Sequence, residues 1–198
     1  DCRVRFMNDA SSFAVGEAWA GKAAEYERMM AITLGTGFGS AFLENRIPVV
    51  QGERVPEMGC VYHLPYGTGI ADDYFSTRWF TACYQEVTGR EAEGVREVAM
   101  MAAENAQVLD IFIEFGNNLG SFLAPWLKRF DAGTLVIGGN ISHAYNLFGK
   151  AMEETLRNEG CKTVTAISEL KEDAALLGSA YLLDEEFWKA VQPTLTLM

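Results

Sequence analysis

Residues 30–50 read MAITLGTGFGSAFLENRIPVV, and this stretch decides the fold. Residues 30–34 form a short apolar run closed by a glycine, which is typical of a buried strand. A second strand is predicted at residues 40–43, and it turns at residues 44–46 into a third strand at residues 47–50. Strands joined by such short turns form an antiparallel meander. The sequence therefore predicts three adjacent strands in one sheet.

The flanking segments follow the spacings of strands and helices. Residues 4–7 alternate weakly, like the end of a strand that starts further upstream, and a helical spacing then continues to about residue 29. From Asp72 the chain is mostly helical. The last predicted elements are a strand at 134–137, a helix from about 142 to 158, a strand at 163–167 and a helix at 173–187. A meander followed by this order predicts a mixed α/β fold, with a mixed sheet flanked by helices.

Composition excludes several classes of protein. The 198 residues suffice for one domain or for one lobe of a larger protein. A net charge of -11 argues against a nucleic-acid surface, because phosphate binding needs clustered Lys and Arg. The four cysteines are scattered, as in a cytoplasmic protein with reduced thiols. No apolar run reaches the roughly 18 residues of a membrane span, so no membrane partner is expected.

The glycine run at residues 35–39 follows the first strand of the meander. Glycines there permit positive φ and let backbone N–H groups surround an anion, with the Thr36 hydroxyl as a further donor. A tight hairpin between two strands needs glycine for its own reasons. The run is not a Walker A loop, because no Lys-Ser or Lys-Thr follows it. Both interpretations, a phosphate loop and a hairpin turn, stay open.

Two further segments have the same ambiguity. Gly138 and Gly139 end a strand before a helix, where amides and the helix dipole favour a nucleotide, or where the pair makes a sharp turn. Asp9 follows Asn8 at the start of a predicted helix. It is either the cap of that helix or a general base that faces a cleft.

Cys60 and His63 form the only Cys-x-x-His pair that suggests a metal. A zinc site needs three or four ligands, and this pair supplies two. No metal-ligating residue is therefore predicted.

In combination these segments resemble the ROK family of repressors, open reading frames and sugar kinases. The resemblance runs in order through nearly the whole chain. It is carried by residues 4–10 with Gly16-Glu17, by residues 32–41 around the glycine run, by Glu57-Met-Gly59, by residues 135–141 around Gly138-Gly139, and by residues 172–180.

The resemblance implies an actin-like, ribonuclease H-like ATPase lobe that phosphorylates a hexose with ATP and Mg²⁺. It implies that Asp9 is the base that takes the sugar hydroxyl proton. By the same resemblance Asn8, Glu57 and Asp72 hold the sugar. The residues implied for the nucleotide are Gly35, Thr36 and Gly37 at the phosphates and Gly138 and Gly139 at the adenosine.

The chain departs from the family pattern in its middle and at its start. Cys60 stands where the family has a zinc-ligating His, and residues 66–71 replace the cysteine-rich zinc loop, so no zinc is expected. Asp72 is one methylene shorter than the family's sugar-binding Glu. The resemblance implies that residues 1–198 are the carboxy-terminal lobe, so an amino-terminal lobe with an Asp-x-Gly-Gly-Thr loop is expected upstream. In full-length form a cytoplasmic homodimer is expected.

Two rival interpretations remain. One is a sugar-responsive transcriptional repressor that shares this lobe and has its DNA-binding helices upstream. The other is a catalytically inactive sugar-binding protein, favoured by the altered residues 60–72. Asp9 favours the kinase, because a sensor needs sugar contacts but no base.

Overall fold

The computed structural model describes residues 4–197 as one mixed α/β unit. Along the chain the strands are β1 (Arg28–Leu34), β2 (Phe38–Glu44), β3 (Ile47–Pro48), β4 (Pro65–Tyr66), β5 (Gly69–Ile70), β6 (Thr134–Gly138) and β7 (Val164–Ile167). The α-helices are α1 (Asp9–Ala20), α2 (Ala71–Tyr74), α3 (Thr77–Thr88), α4 (Val95–Ala102), α5 (Ala106–Phe130), α6 (Tyr145–Asn158), α7 (Asp173–Tyr181) and α8 (Glu185–Leu195). Two 3₁₀ helices span Glu57–Gly59 and Asn140–Ala144.

The main sheet has the order β3-β2-β1-β6-β7, and β4 pairs with β5 in a separate ribbon. β1, β2 and β3 pair antiparallel in a meander, with Leu34 opposite Phe38 and Arg28 opposite Glu44. β6 and β7 add to the other side of β1 in parallel. The predicted meander and the mixed α/β class are confirmed.

Alternation along β1 builds two cores, one on each face of the sheet. Met30, Ile32 and Leu34 belong to the larger core, which is lined by α3 to α6. Met29 and Ala31 point the other way, into a smaller core with α1, α7 and α8. The sheet is thus covered on both faces.

Small residues let helices approach closely on both faces. In α5, a Cβ added at Gly116 would lie 2.3 Å from the Phe148 carbonyl oxygen of α6. On the opposite face, a Cβ added at Gly16 of α1 would lie 1.9 Å from the Ala174 oxygen of α7, and one at Gly178 would lie 1.8 Å from the Ser12 oxygen. Backbone therefore packs directly against backbone between α1 and α7.

The amino-terminal prediction of a strand is wrong for residues 4–7, which have no regular secondary structure, while residues 1–3 lie outside the described range. The Arg5 side chain explains the difference. It donates to the Leu182 carbonyl oxygen at 2.5 Å and lies 4.4 Å from the Trp188 ring, which holds this segment against the carboxy-terminal helices instead of a strand.

Two predicted helices also differ from the structure. α1 ends at Ala20 and not near residue 29, because Gly21 is extended and the Glu17 carboxylate accepts the Lys22 amide at 2.9 Å. The single helix predicted at 173–187 is two helices. Asp184 separates them, since its side chain accepts the amides of Glu186 and Phe187 and so caps a new helix.

No helix within residues 4–197 is long and apolar enough to cross a membrane.

Candidate functional site

A cavity of about 1250 Å³ opens where the carboxyl ends of β1, β6 and β7 meet the amino-terminal end of α1. Its walls include residues 8–11, 33–40, 138–140 and 167–173, together with Met58–Cys60, Tyr62, Asp72 and His143. The carboxyl edge of parallel strands is the usual ligand edge of an α/β sheet. The fold therefore brings the segments singled out in the sequence to one place, with the exception of Glu57.

Asn8 and Asp9 lie side by side at the start of α1, and both are exposed. Asn8 caps the helix, because its Oδ1 accepts the Ser11 amide at 2.8 Å. The Asp9 Oδ1 accepts only the adjacent Ala10 amide, at 2.8 Å, among the hydrogen bonds recorded for it. The interpretation of Asp9 as the helix cap is therefore wrong. Asp9 lines the cavity at the positive end of the α1 helix dipole.

The glycine turn, defined as residues 35–37, is a hairpin turn between β1 and β2. Neither Gly35 nor Gly37 has a left-handed φ, so the turn does not use the conformational freedom that the sequence predicted for its glycines. Gly35 instead keeps one side open, since a Cβ added there would have no neighbour within 4 Å. The amides of Thr36 and Gly37 donate no recorded hydrogen bond within residues 4–197, and both residues are exposed. The turn is thus a hairpin whose amides remain available to an anion.

Gly138 ends β6 at the cavity, and Gly139 is the N-cap of the 3₁₀ helix that follows. Gly139 has φ +81°, and a Cβ there would lie 2.4 Å from the Leu34 carbonyl oxygen of β1. The Ser142 amide and hydroxyl both donate to the Gly139 oxygen, at 3.0 and 2.7 Å. Only glycine fits this corner, which leaves Asn140 and His143 exposed beside the cavity.

The predicted sugar-binding residues downstream have different surroundings. Glu57 is exposed and does not line the cavity, although its neighbours Met58 and Gly59 do. Asp72 lines the cavity beside the glycine turn, where its Oδ1 accepts the Phe38 amide at 2.6 Å. The structure therefore brings Asp72 together with Asn8 and Asp9, and it leaves Glu57 at the rim.

Cys60 and His63 face each other, with 3.7 Å between Sγ and Nδ1. Within residues 4–197 no group of three or more His, Cys, Asp or Glu side chains could hold a metal ion. Burial raises the pKa of the Cys60 thiol. At neutral pH the free thiol is therefore protonated.

The sequence did not point to the wall after β7, residues 167–173. Its Ser168 hydroxyl donates to the fully buried Glu17 carboxylate at 2.5 Å, and its Lys171 amide donates to the Ser168 hydroxyl at 2.9 Å. The order of the elements could have indicated this wall, because the parallel strands β6 and β7 must end at the same edge of the sheet.

The charges around the cavity are mostly negative. Its acidic lining residues are Asp9, Asp72, Glu169, Glu172 and Asp173, while the basic ones are Lys171 and His143. Such a surface repels a bare polyphosphate and accepts it when a divalent cation accompanies it. The cavity alone therefore suits a metal-complexed anion or a neutral polar ligand.

Comparison with known proteins agrees with this geometry. The family described as the ROK family matches residues 1–186. An N-acetyl-D-glucosamine kinase of Vibrio parahaemolyticus is 26% identical over 161 residues, which is 71% of this chain and 52% of the relative. The chain thus spans about half the length of the curated relatives it matches.

Solved structures share the fold. A ROK hexokinase from Thermus thermophilus superposes with a TM-score of 0.77 at 24% identity, over 88% of this chain and 62% of that one. A ROK family transcriptional regulator, homologous to the E. coli MLC protein, gives 0.76 at 16% identity, over 96% and 54%. The predicted actin-like ATPase fold is confirmed, and it is common to kinases and regulators.

Proposed function

The chain belongs to the ROK family, and from this premise we propose that it is the carboxy-terminal lobe of an ATP-dependent sugar kinase. The reaction is transfer of the γ-phosphoryl group of ATP to a hydroxyl of a hexose or an N-acetylhexosamine. The kinases among the matched relatives act, by name, on N-acetyl-D-glucosamine, which supports this substrate class.

One observation carries the proposal: a single cavity contains Asp9, the glycine turn and the Gly138–Gly139 corner. Phosphoryl transfer needs positioning and charge neutralisation more than covalent catalysis. A sugar hydroxyl next to a carboxylate, in line with a phosphate held by backbone amides, satisfies both needs. The three segments are about 30 and 100 residues apart in sequence, so only the fold brings them together.

Asp9 is proposed as the general base. As the sugar oxygen attacks the γ-phosphorus, the Asp9 carboxylate accepts the hydroxyl proton and ADP leaves with the bond electrons. The helix cap is supplied by Asn8, so the Asp9 carboxylate, whose Oδ1 accepts the Ala10 amide, is not needed as the cap. Asn8 and Asp72, which line the same cavity, are proposed to hold other sugar hydroxyls, and Glu57 to reach the sugar from the rim.

The nucleotide is proposed to bind at the glycine turn and at the Gly138–Gly139 corner of the same cavity. The exposed amides of Thr36 and Gly37, next to Gly35, are placed to donate to the phosphates. The corner at Gly138 and Gly139 gives the adenosine a close approach to backbone. Mg²⁺, when bound with ATP, would neutralise phosphate charge, which the acidic lining of the cavity makes necessary. No zinc is proposed for the altered loop around Cys60.

The second candidate function is that of a sugar-responsive transcriptional repressor. It is supported by the similarity of this fold to that of a ROK transcriptional regulator. The inactive sugar-binding protein is the third. The full-length gene product distinguishes them in one assay. ADP release is measured with ATP, Mg²⁺ and a panel of hexoses and N-acetylhexosamines. Turnover with one sugar supports the kinase. Sugar binding by calorimetry without turnover, for any sugar in the panel, contradicts it and favours a sensor.

The homodimer and the cytoplasmic location remain predictions for the full-length protein. The first is checked by light scattering of the full-length protein at assay concentrations. Partners other than the sugar and ATP are not proposed for this lobe.

A further inference from the structure

The Asp72 carboxylate is engaged on both of its oxygens. Its Oδ1 accepts the Phe38 amide at 2.6 Å, and its Oδ2 lies 2.7 Å from the Arg78 guanidinium. The side chain is 23% exposed, so these bonds form at the edge of the cavity and are only partly screened by water. Both oxygens of the Asp72 carboxylate therefore already have hydrogen-bond partners within the protein.

Residues 72–77 hold the glycine turn by hydrogen bonds at both of its ends. At one end, the amide and hydroxyl of Thr77 donate to the Gly35 carbonyl oxygen, at 2.8 and 2.9 Å. At the other end, Asp72 accepts the Phe38 amide. The first residues of α2 and α3 thus fix the ends of the turn and leave its middle amides exposed.

These hydrogen bonds place the negative charge of Asp72 beside the turn. A Cβ added at Gly37 would lie 3.0 Å from the Asp72 Oδ1, so the carboxylate borders the atoms proposed to receive phosphate. An uncompensated carboxylate there repels a phosphate. Arg78 supplies the opposite charge, and it also lies 3.6 Å from Asp73. Both contacts are made by the Arg78 Nη2, which donates a hydrogen bond to Asp72 and forms a longer ion pair with Asp73.

We propose that Asp72 and Arg78 form a charge-compensated clamp on the glycine turn. Asp72 is a positioning residue that sets the turn through the Phe38 amide, and Arg78 removes the repulsion that this carboxylate would exert on a bound polyphosphate. The inference rests on the proposed function, in which the turn receives the phosphates of ATP. It gives Asp72 a task on the nucleotide side in addition to any contact with sugar.

The clamp predicts a pattern across three variants of the full-length protein. Arg78→Met leaves Asp72 uncompensated, and binding of the ATP analogue AMPPNP with Mg²⁺ weakens by roughly three- to tenfold, as expected for charges several ångströms apart at a partly exposed site. Asp72→Asn keeps an oxygen for the Phe38 amide and binds no more weakly than wild type. The double variant Asp72→Asn with Arg78→Met recovers most of the loss.

Two measurements separate this effect from general damage to the fold. The loss in Arg78→Met shrinks as salt rises from about 50 mM to about 500 mM, because screening shortens the reach of the Asp72 charge. In steady-state kinetics the KM for ATP rises while the KM for sugar stays within twofold. Arg96→Met, which removes an exposed Arg from α4, is the matched control and leaves both constants unchanged.

Other results overturn the clamp. AMPPNP binding in Arg78→Met equal to wild type removes the compensating role of Arg78. A rise in the KM for sugar alone, in both Asp72→Asn and Arg78→Met, shows that Asp72 serves the sugar. Losses that add in the double variant show that the two residues act independently.

A readout without nucleotide distinguishes failure of the clamp from failure of the proposed function. Amide hydrogen exchange at Phe38 is measured by NMR in the full-length protein without nucleotide. Asp72→Ala removes the acceptor and accelerates this exchange at least about tenfold, while Asp72→Asn does not. Equal Phe38 protection in all three proteins overturns the positioning role of Asp72. Accelerated exchange together with a wild type that binds no AMPPNP supports that role and overturns the sugar kinase, along with the role of Arg78.

Discussion

Asn8 caps α1 through the Ser11 amide, at 2.8 Å, and this frees the neighbouring Asp9 from any capping task. The two residues are adjacent, both are polar and both are residue types that cap helices well. The structure nevertheless divides their tasks. Asn8 stabilises the helix, and Asp9 presents a carboxylate to the cavity. Variants at the two positions should therefore separate stability from catalysis.

We expect Asp9→Asn to lower kcat at least about a hundredfold in the full-length protein, within the range of about 10²–10⁴ for loss of a general base. The amide still accepts the Ala10 amide hydrogen bond, so the thermal midpoint should stay within about 1 °C of wild type. Steady-state ADP release and calorimetric melting check the two halves. Asp110→Asn, an exposed position on α5, is the matched control. Retained kcat in Asp9→Asn would remove the assignment of the base.

Gly139→Ala should destabilise the lobe by at least about 1–3 kcal/mol, the cost of backbone strain at a positive φ. The added Cβ would also overlap the Leu34 carbonyl oxygen, which belongs to a central strand and cannot move aside cheaply. Urea unfolding followed by circular dichroism measures the change. Gly35→Ala is the control, because a Cβ there meets nothing within 4 Å and its φ is not positive. Equal stability of the two variants would contradict the strained corner.

The meander and both parallel strands could be predicted from sequence because their signals are local. Apolar runs of the right length end at glycines or at short polar turns, and β1 needs no distant partner to be recognised. The function of residues 35–37 could not be decided in this way, since a hairpin and an anion site need the same glycines. Only the positions of Thr77 and Asp72 show that the turn is held from outside with its amides exposed.

Other parts of the site depend on contacts between distant residues. The bond between Glu17 and Ser168 joins positions 151 residues apart, and no spacing within the sequence indicates it. The final helix was predicted as continuous because residues 173–187 keep a helical composition. Asp184 interrupts it because its side chain accepts two backbone amides and so caps a new helix. A single polar residue within a helical pattern does not reveal this capping geometry in the sequence.

Purified protein should contain well under one zinc per chain by elemental analysis after dialysis against a chelator. The physical reason is the ligand set: Cys60 and His63 face each other, and residues 4–197 offer no third ligand beside them. Adding equimolar zinc should leave the thermal midpoint unchanged. A zinc that survives dialysis at a ratio of one per chain would contradict this prediction.

Residues 1–198 alone should show no ADP release above background with any hexose in the panel. The chain spans about half the length of its curated relatives, and residues 1–198 contain no Asp-x-Gly-Gly-Thr segment. Leu176 and Leu183 of this lobe are 68% and 67% exposed, so the isolated lobe should also self-associate. Replacing both with Gln should reduce the association seen by light scattering. Robust turnover by residues 1–198 would show that the lobe suffices.

The contact between α1 and α7 has a mechanical consequence. At Gly16 and Gly178 no side chain separates the two helices, so backbone lies against backbone there and neither helix can slide without a clash. α1 begins at Asp9, and α7 begins at the end of the wall formed by residues 167–173. During any hinge motion, Asp9 and this wall would therefore travel as one rigid body. Closing around substrates would then change what approaches Asp9 from outside the lobe, while the spacing between Asp9 and the wall stays constant.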